Sequence, residues 1–124
     1  MPNVGAGSAT GGLRGNIMRT PGQRQQNFAL ESLINEAAAA ANMDPIQFRL
    51  NHTTEERLIN VLTATAKAAE WAPRPSPHAG ARRTGSAPVT GRGVSIIARS
   101  NAYWVGIAEV DVIPDTGAVQ VKKF

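Results

Sequence analysis

Val94-Ser95-Ile96-Ile97-Ala98-Arg99, Tyr103-Trp104-Val105-Gly106-Ile107-Ala108-Glu109-Val110-Asp111-Val112, Pro114-Asp115-Thr116-Gly117 and Val119-Gln120-Val121 follow one another within residues 94–121. Val94, Ile96 and Ala98 alternate with Ser95, Ile97 and Arg99, and β-branched residues dominate, which is the two-residue period of a strand. The second run alternates as well, with Ala108, Val110 and Val112 on one side and Glu109 and Asp111 on the other. Pro-Asp-Thr-Gly has the residues that a tight turn demands, so the chain is expected to fold back antiparallel. A hairpin or three-stranded antiparallel sheet follows, with Glu109 and Asp111 on a solvent-exposed polar face.

Upstream the composition changes. Residues 72–90 hold few large apolar side chains and much Pro, Gly, Ser, Thr and Arg, the make-up of a linker. Arg74, Arg82, Arg83, Arg92 and Arg99 lie between Ala72 and Ser100 with no acid among them. Positive charge alone suffices for phosphate contact, so a small basic adaptor acting through residues 74–99 is an alternative reading. A solvated linker explains the segment more simply, and nucleic acid is not an expected partner.

Before the linker the apolar period is helical. Over residues 25–41, Leu30, Leu33, Ile34, Ala37, Ala38 and Ala41 recur at three- and four-residue steps, with Glu31 and Glu36 off that stripe. The five alanines from Ala37 allow close packing against another helix, and Asn42 is a C-terminal stop. Asp44-Pro45-Ile46-Gln47 opens a short helix, with Asp44 as cap and Pro45 at the first helical position. Thr53-Thr54-Glu55-Glu56 looks like a capping box for a third helix carrying Leu58, Val61, Leu62, Thr65 and Ala69, which Pro73 terminates near Trp71. Helices followed by a small antiparallel sheet make an α+β arrangement. Residues 1–16 read as a flexible leader, 17–71 as the helical part, 72–90 as the linker and 91–124 as the strands. Apolar residues are 42% of the 124 and fall into two stretches, so the divided core points to a domain fragment or a subunit that needs a partner.

Several chemistries are excluded. There is no cysteine, hence no disulfide, thiolate metal site or cysteine nucleophile. No apolar run approaches the roughly 20 residues of a membrane span, and residues 1–5 show no signal-peptide pattern. A soluble protein, cytoplasmic or periplasmic, is expected. Gly5-Ala6-Gly7-Ser8-Ala9-Thr10-Gly11 has no strand before it and no Lys-Ser/Thr pair after it, so it is not a nucleotide loop. His52 and His78 lack partners at metal-ligand spacing, and Glu55 and Glu56 point about 100° apart on a helix. No catalytic residue and no metal ligand is assigned.

One segment reads differently. Met18-Arg19-Thr20-Pro21-Gly22-Gln23-Arg24-Gln25 places an arginine before a Pro-Gly turn that leads into a helix. Gly22 permits backbone conformations closed to other residues, the first helical turn offers free N–H groups, and an arginine fork suits oxyanions. An anion or cofactor clamp and an ordinary helix lead-in are equally consistent with these residues.

This segment, with Phe28-Ala29-Leu30-Glu31, Asp44-Pro45-Ile46-Gln47-Phe48-Arg49, Glu70-Trp71, Gly91-Arg92-Gly93, Ala108-Glu109-Val110-Asp111-Val112 and Gly117-Ala118-Val119-Gln120-Val121, resembles the molybdopterin-binding large subunit of the aldehyde oxidase/xanthine dehydrogenase family of molybdenum hydroxylases. Order and spacing hold from about Ile17 to Phe124, closest to the branch of isoquinoline 1-oxidoreductase β subunits and nicotinate dehydrogenase. The resemblance implies a fragment of a larger molybdopterin-binding domain, with Arg19, Gly22 and Gln25 shaping a cofactor-binding loop. It implies a molybdenum–molybdopterin cofactor, in the cytosine dinucleotide form, in the full-length protein. It also implies an oxidoreductase that hydroxylates aldehydes or N-heteroaromatics, with an iron–sulfur subunit and the remainder of the large subunit as partners. Pro21 stands where xanthine-oxidising relatives have an aromatic residue, which argues against purines. The family's catalytic glutamate sits in a Gly-x-Gly-Glu type segment that is absent here. The isolated chain is therefore expected neither to hold molybdopterin nor to turn over.

Overall fold

A computed structural model of the chain describes residues 22–76, 84–99 and 101–124. Three helices, α1 (Gln23–Ala40), α2 (Pro45–Asn51) and α3 (Glu56–Ala68), precede three strands, β1 (Val89–Arg99), β2 (Ala102–Ile113) and β3 (Ala118–Lys123). The strands form one antiparallel sheet in the order β1-β2-β3, so the α+β arrangement expected from the periodicities is present. β1 begins at Val89, inside the stretch read as linker.

Local chemistry accounts for the element boundaries. Asn42 and Glu70 stand in the left-handed region at φ 52° and 51°, one after the C-cap of α1 and the other after that of α3. Asp44 caps α2 through Oδ1, which accepts from the Ile46 and Gln47 amides at 2.9 Å each. The Gln47 side chain reaches forward to Asn51 rather than back to the cap, at 2.8 Å. The expected box at Thr53 does not form: Glu55 is the N-cap of α3 without a side-chain bond, and Thr53 Oγ1 accepts the Glu55 amide instead. In the hairpin Gly117 takes φ +69°, and its amide donates to the Ile113 carbonyl at 2.8 Å. Val112 faces Val119 and Val110 faces Val121, and a register shift between Glu109 and Val110 marks a bulge.

The core is small. Ile46, Leu62, Val94 and Ile107 form its buried cluster, with Leu50, Ala66, Trp71, Ile96 and Val105 packed around it. Val94 faces Ile107 across the β1–β2 ladder, and Ile96 faces Val105. These residues fix which side of the sheet meets the helices. Arg92 and Glu109 are paired on that same side, as are Thr90 and Asp111. The expectation of a solvent-exposed face for Glu109 and Asp111 is therefore corrected: both are half-buried and both are hydrogen-bonded. They escape the apolar core because the helical layer ends before them, and cationic partners stand nearby.

The reading of α1 also changes. Leu30 and Leu33 of the expected inward stripe are 55% and 62% exposed, whereas Glu31 is 7% exposed. The helix lies against the edge of the sheet, on α2 and β1, rather than over its centre. There an unpaired strand edge needs polar partners more than it needs leucines, and the helix turns Glu31 toward it.

Candidate functional site

Among the three residues that the sequence assigns to a cofactor loop, Arg19 lies outside the described residues. Gly22 and Gln25 are both exposed at the start of α1. Gly22 is the N-cap residue at φ +78°, and its carbonyl accepts the Gln26 amide at 3.0 Å. No side chain caps the helix and no acid occupies its first turn, so the amides of Gln23, Arg24 and Gln25 have no intrahelical acceptor. The positive φ explains why glycine stands here, since a side chain would be strained in that conformation. Pro21, the other half of that Pro-Gly pair, lies outside the described residues.

The other residues that carry the resemblance converge on one another rather than on this loop. Arg49 donates to Glu31 Oε2 at 2.8 Å, Asn35 Oδ1 at 3.0 Å, the Pro45 carbonyl at 2.9 Å and, more weakly, the Val94 carbonyl at 3.4 Å. Glu31 Oε2 also accepts the Ile96 amide at 2.8 Å. The carboxylate and the guanidinium therefore close the outer edge of β1 between Val94 and Ile96. Asn27 adds a contact to Ser95 Oγ at 3.4 Å. Both charged side chains are more than nine-tenths buried.

Asp44 forms a second node. While Oδ1 caps α2, Oδ2 accepts the Trp71 indole at 2.9 Å and the Arg74 amide at 3.0 Å. One carboxylate thus joins the start of α2, the end of α3 and the segment beyond it. A third node joins sheet and helix: Arg92 pairs with Glu109 at 2.6 Å and donates to the Glu70 carbonyl at 2.9 Å, past the end of α3. Spacing along the chain places these residues in the motifs that carry the resemblance but does not display what they do, because the signal lies in long-range pairing.

None of this assembles a reaction centre. Among the described residues no group of three or more His, Asp or Glu is placed to hold a metal ion. His52 is exposed, stacked on Phe48 and hydrogen-bonded to its carbonyl, while His78 lies outside the described residues. Glu55 and Glu56 are both exposed. A cleft of about 310 Å³ between α3 and β2 is lined by Thr65, Ala69, Ile107 and Phe124 together with Arg92 and Glu109, whose charges already satisfy each other. Of the arginines of residues 74–99, Arg82 and Arg83 lie outside the described residues, and Arg92 is turned toward Glu109 and the Glu70 carbonyl. No described helix is long and apolar enough to cross a membrane.

Over 65 residues, 52% of the chain, the sequence is 40% identical to one of the subunits of nicotinate dehydrogenase from Pseudomonas putida. The matched stretch is 6% of that protein's length, so the chain spans a small part of the relative. No family model matches the chain, and no solved structure does.

Proposed function

We propose that this chain is part of the cofactor-binding large subunit of a molybdenum hydroxylase, an oxidoreductase acting on aldehydes or N-heteroaromatic compounds. The single observation that carries the reading is the 40% identity to a nicotinate dehydrogenase subunit. One feature of the described residues supports it: α1 starts at a left-handed glycine, its first amides have no acceptor within the helix, and Arg24 beside them is exposed. Such a helix start suits the anionic groups of a pyranopterin dinucleotide. In this reading Arg19 and Gln25 hold the cofactor's edge, and Gly22 keeps the backbone close to it. The bound cofactor would supply the redox chemistry, and the protein binds and orients.

In the same reading the three polar nodes are scaffolding for the loop. Glu31, Arg49 and Ile96 fix α1 against the sheet, which fixes the direction in which its N-terminus points. The described residues contribute no proton-transfer group, so turnover requires the remainder of the large subunit and an iron–sulfur partner to receive electrons.

The test is to follow the reading frame beyond the Phe124 codon and to purify the resulting product from cells that make the cofactor. A frame that continues into a Gly-x-Gly-Glu segment, with about one molybdenum per full product and none on the 124-residue chain, is the expected result. Arg19→Ala in the full product should lower molybdenum content. A full product that carries no molybdenum and oxidises no aldehyde or N-heterocycle would overturn the reading.

A further inference from the structure

β2 is longer than its ladder with β3. It pairs with β1 down to Arg99↔Ala102, but with β3 only from Ile113 to Glu109. The direction of its backbone groups follows from the outer edge of β1. There the Val94 carbonyl faces Arg49 and the Ile96 amide faces Glu31. Backbone groups alternate along an extended strand, so those of Ser95 turn to β2, where Gly106 is its partner. Gly106 and Trp104 therefore point at β1. Tyr103, Val105 and Ile107 point to the other side, past the last β3 pair at Lys123. Among the described residues no strand meets them there. Ile107 nevertheless belongs to the core, where backbone N–H and C=O groups call for partners.

A cavity flanks this open edge on each face of the sheet. The cleft of about 310 Å³ toward α3 is lined by Thr65, Ala69, Val105 and Ile107. On the outward face a cavity of about 490 Å³ is lined by Ile97, Trp104, Gly106 and Ala108. Gly106 and Phe124 border both. Gly106 carries no side chain, and the Phe124 ring is what comes near the place one would take, at 3.4 Å. An extended chain laid in this recess sends alternate side chains to the two faces. One strand thus fills both cavities and completes the ladder at once.

We propose that the recess is filled by the residues that follow Phe124 in the full-length product, which extend β3 along β2 to the level of Tyr103. This rests on the reading of the chain as part of a larger subunit. The course of β3 supports this occupant: it runs antiparallel to β2, and its last pair, Glu109↔Lys123, lies next to the recess. A segment continuing from Phe124 arrives in register, at an effective concentration on the order of millimolar that a separate strand does not have. In that register the first, third and fifth residues after Phe124 stand opposite Ile107, Val105 and Tyr103 and face the helices. The first and third are therefore expected to be apolar. The second stands opposite Gly106, whose missing side chain leaves the outward cavity open to it.

The test is amide hydrogen exchange, read by NMR, in the 124-residue chain and in the same chain lengthened by about eight of the residues encoded beyond Phe124. The amides of Tyr103, Val105 and Ile107 should exchange at least about tenfold more slowly in the lengthened chain. Those of Trp104 and Gly106, which face β1, should change less and serve as the internal control. An extension of Gly and Ser of the same length should give no slowing. Lysine at the first and third added positions should cancel it, because that puts charge into the cleft beside α3. Equal exchange with and without the natural extension would overturn the proposal. So would equal slowing of all these amides, which reports general stabilisation and not a longer ladder. The natural residues added as a free peptide at about 100 μM should have no effect. Slowing by the free peptide would give the recess to a separate chain and overturn the assignment to this one. Molybdenum in the full product tests the oxidoreductase reading by a different measurement, so a failure of that reading is told apart from a failure of the strand.

Discussion

Replacing Arg49 by methionine keeps most of the side chain's volume and removes its charge. Four hydrogen bonds are lost, to Glu31, Asn35, Pro45 and Val94. Glu31 is left as a carboxylate more than nine-tenths buried, with only the Ile96 amide to solvate it. Breaking a buried ion pair from one side in this way costs about 3–5 kcal/mol, chiefly because the surviving charge is stranded. Domains of this size are stable by about 5–15 kcal/mol, and among the described residues only Ala38 and the four core residues are buried apolar side chains, so the change removes a large share. With a urea m value on the order of 1–2 kcal/mol per molar, the unfolding midpoint should drop by about 1.5–5 M. Glu31→Met combined with Arg49→Met strands no charge and leaves only the Ile96 amide without an acceptor, a cost of about 1–3 kcal/mol. The double variant should therefore be more stable than Arg49→Met alone. The assay is urea unfolding of all four proteins followed by circular dichroism. A loss below about 1 kcal/mol for Arg49→Met would refute the reasoning, as would single effects that add to the double within about 0.5 kcal/mol.

Two further outcomes follow from single positions. Asp111 is held below the usual aspartate range, first by the Thr90 hydroxyl that donates to it at 2.6 Å and then by Lys122 at 3.3 Å. A depressed folded-state value means stability that is fully present above about pH 4 and lost as pH falls through the lowered value. The difference in melting temperature between the parent and Asp111→Asn should thus be constant from about pH 7 to 5 and shrink toward about pH 2; a flat difference would contradict it. Glu70 holds φ +51° with its carbonyl, not its carboxylate, receiving Arg92. Glu70→Gly should relieve about 1–2 kcal/mol of left-handed strain against about 0.5–1 kcal/mol of added chain entropy, and so raise the melting temperature by a few degrees. A fall would show that the strain is not there.

Where the chain's own spacing sets structure, the sequence can be read. The hairpin around Pro114–Gly117, the Asp44 cap and the break after Asn42 each rest on a few neighbouring residues, and all stand in the structure. Glu31 cannot be read this way. A glutamate between exposed leucines looks like a solvent-side residue until Arg49, 18 positions on, and Ile96, 65 positions on, are known to meet it. Glu109 escapes for the same reason, since its partner Arg92 belongs to a different strand. Of the residues that the resemblance assigns to a cofactor loop, Gly22 is legible as the left-handed residue that starts α1. The contribution of Arg19 is a matter of resemblance, and no local pattern fixes where its guanidinium points.

The closing of β1 has a consequence beyond stability. A sheet can be extended without limit only if each molecule offers two free edges, one to receive a strand and one to be received. Here Glu31 and Arg49 occupy the Ile96 amide and the Val94 carbonyl of one edge, and the opposite edge carries a bulge with Lys122 and Lys123 beside it. The molecule is thereby guarded against fibre-like stacking at both sides, by buried chemistry on one and by charge and irregularity on the other. Loss of the Glu31–Arg49 pair does more than loosen a helix: it uncovers a template that neighbouring chains can copy. Variants at either position are then expected to aggregate more readily than the parent when they are concentrated without denaturant.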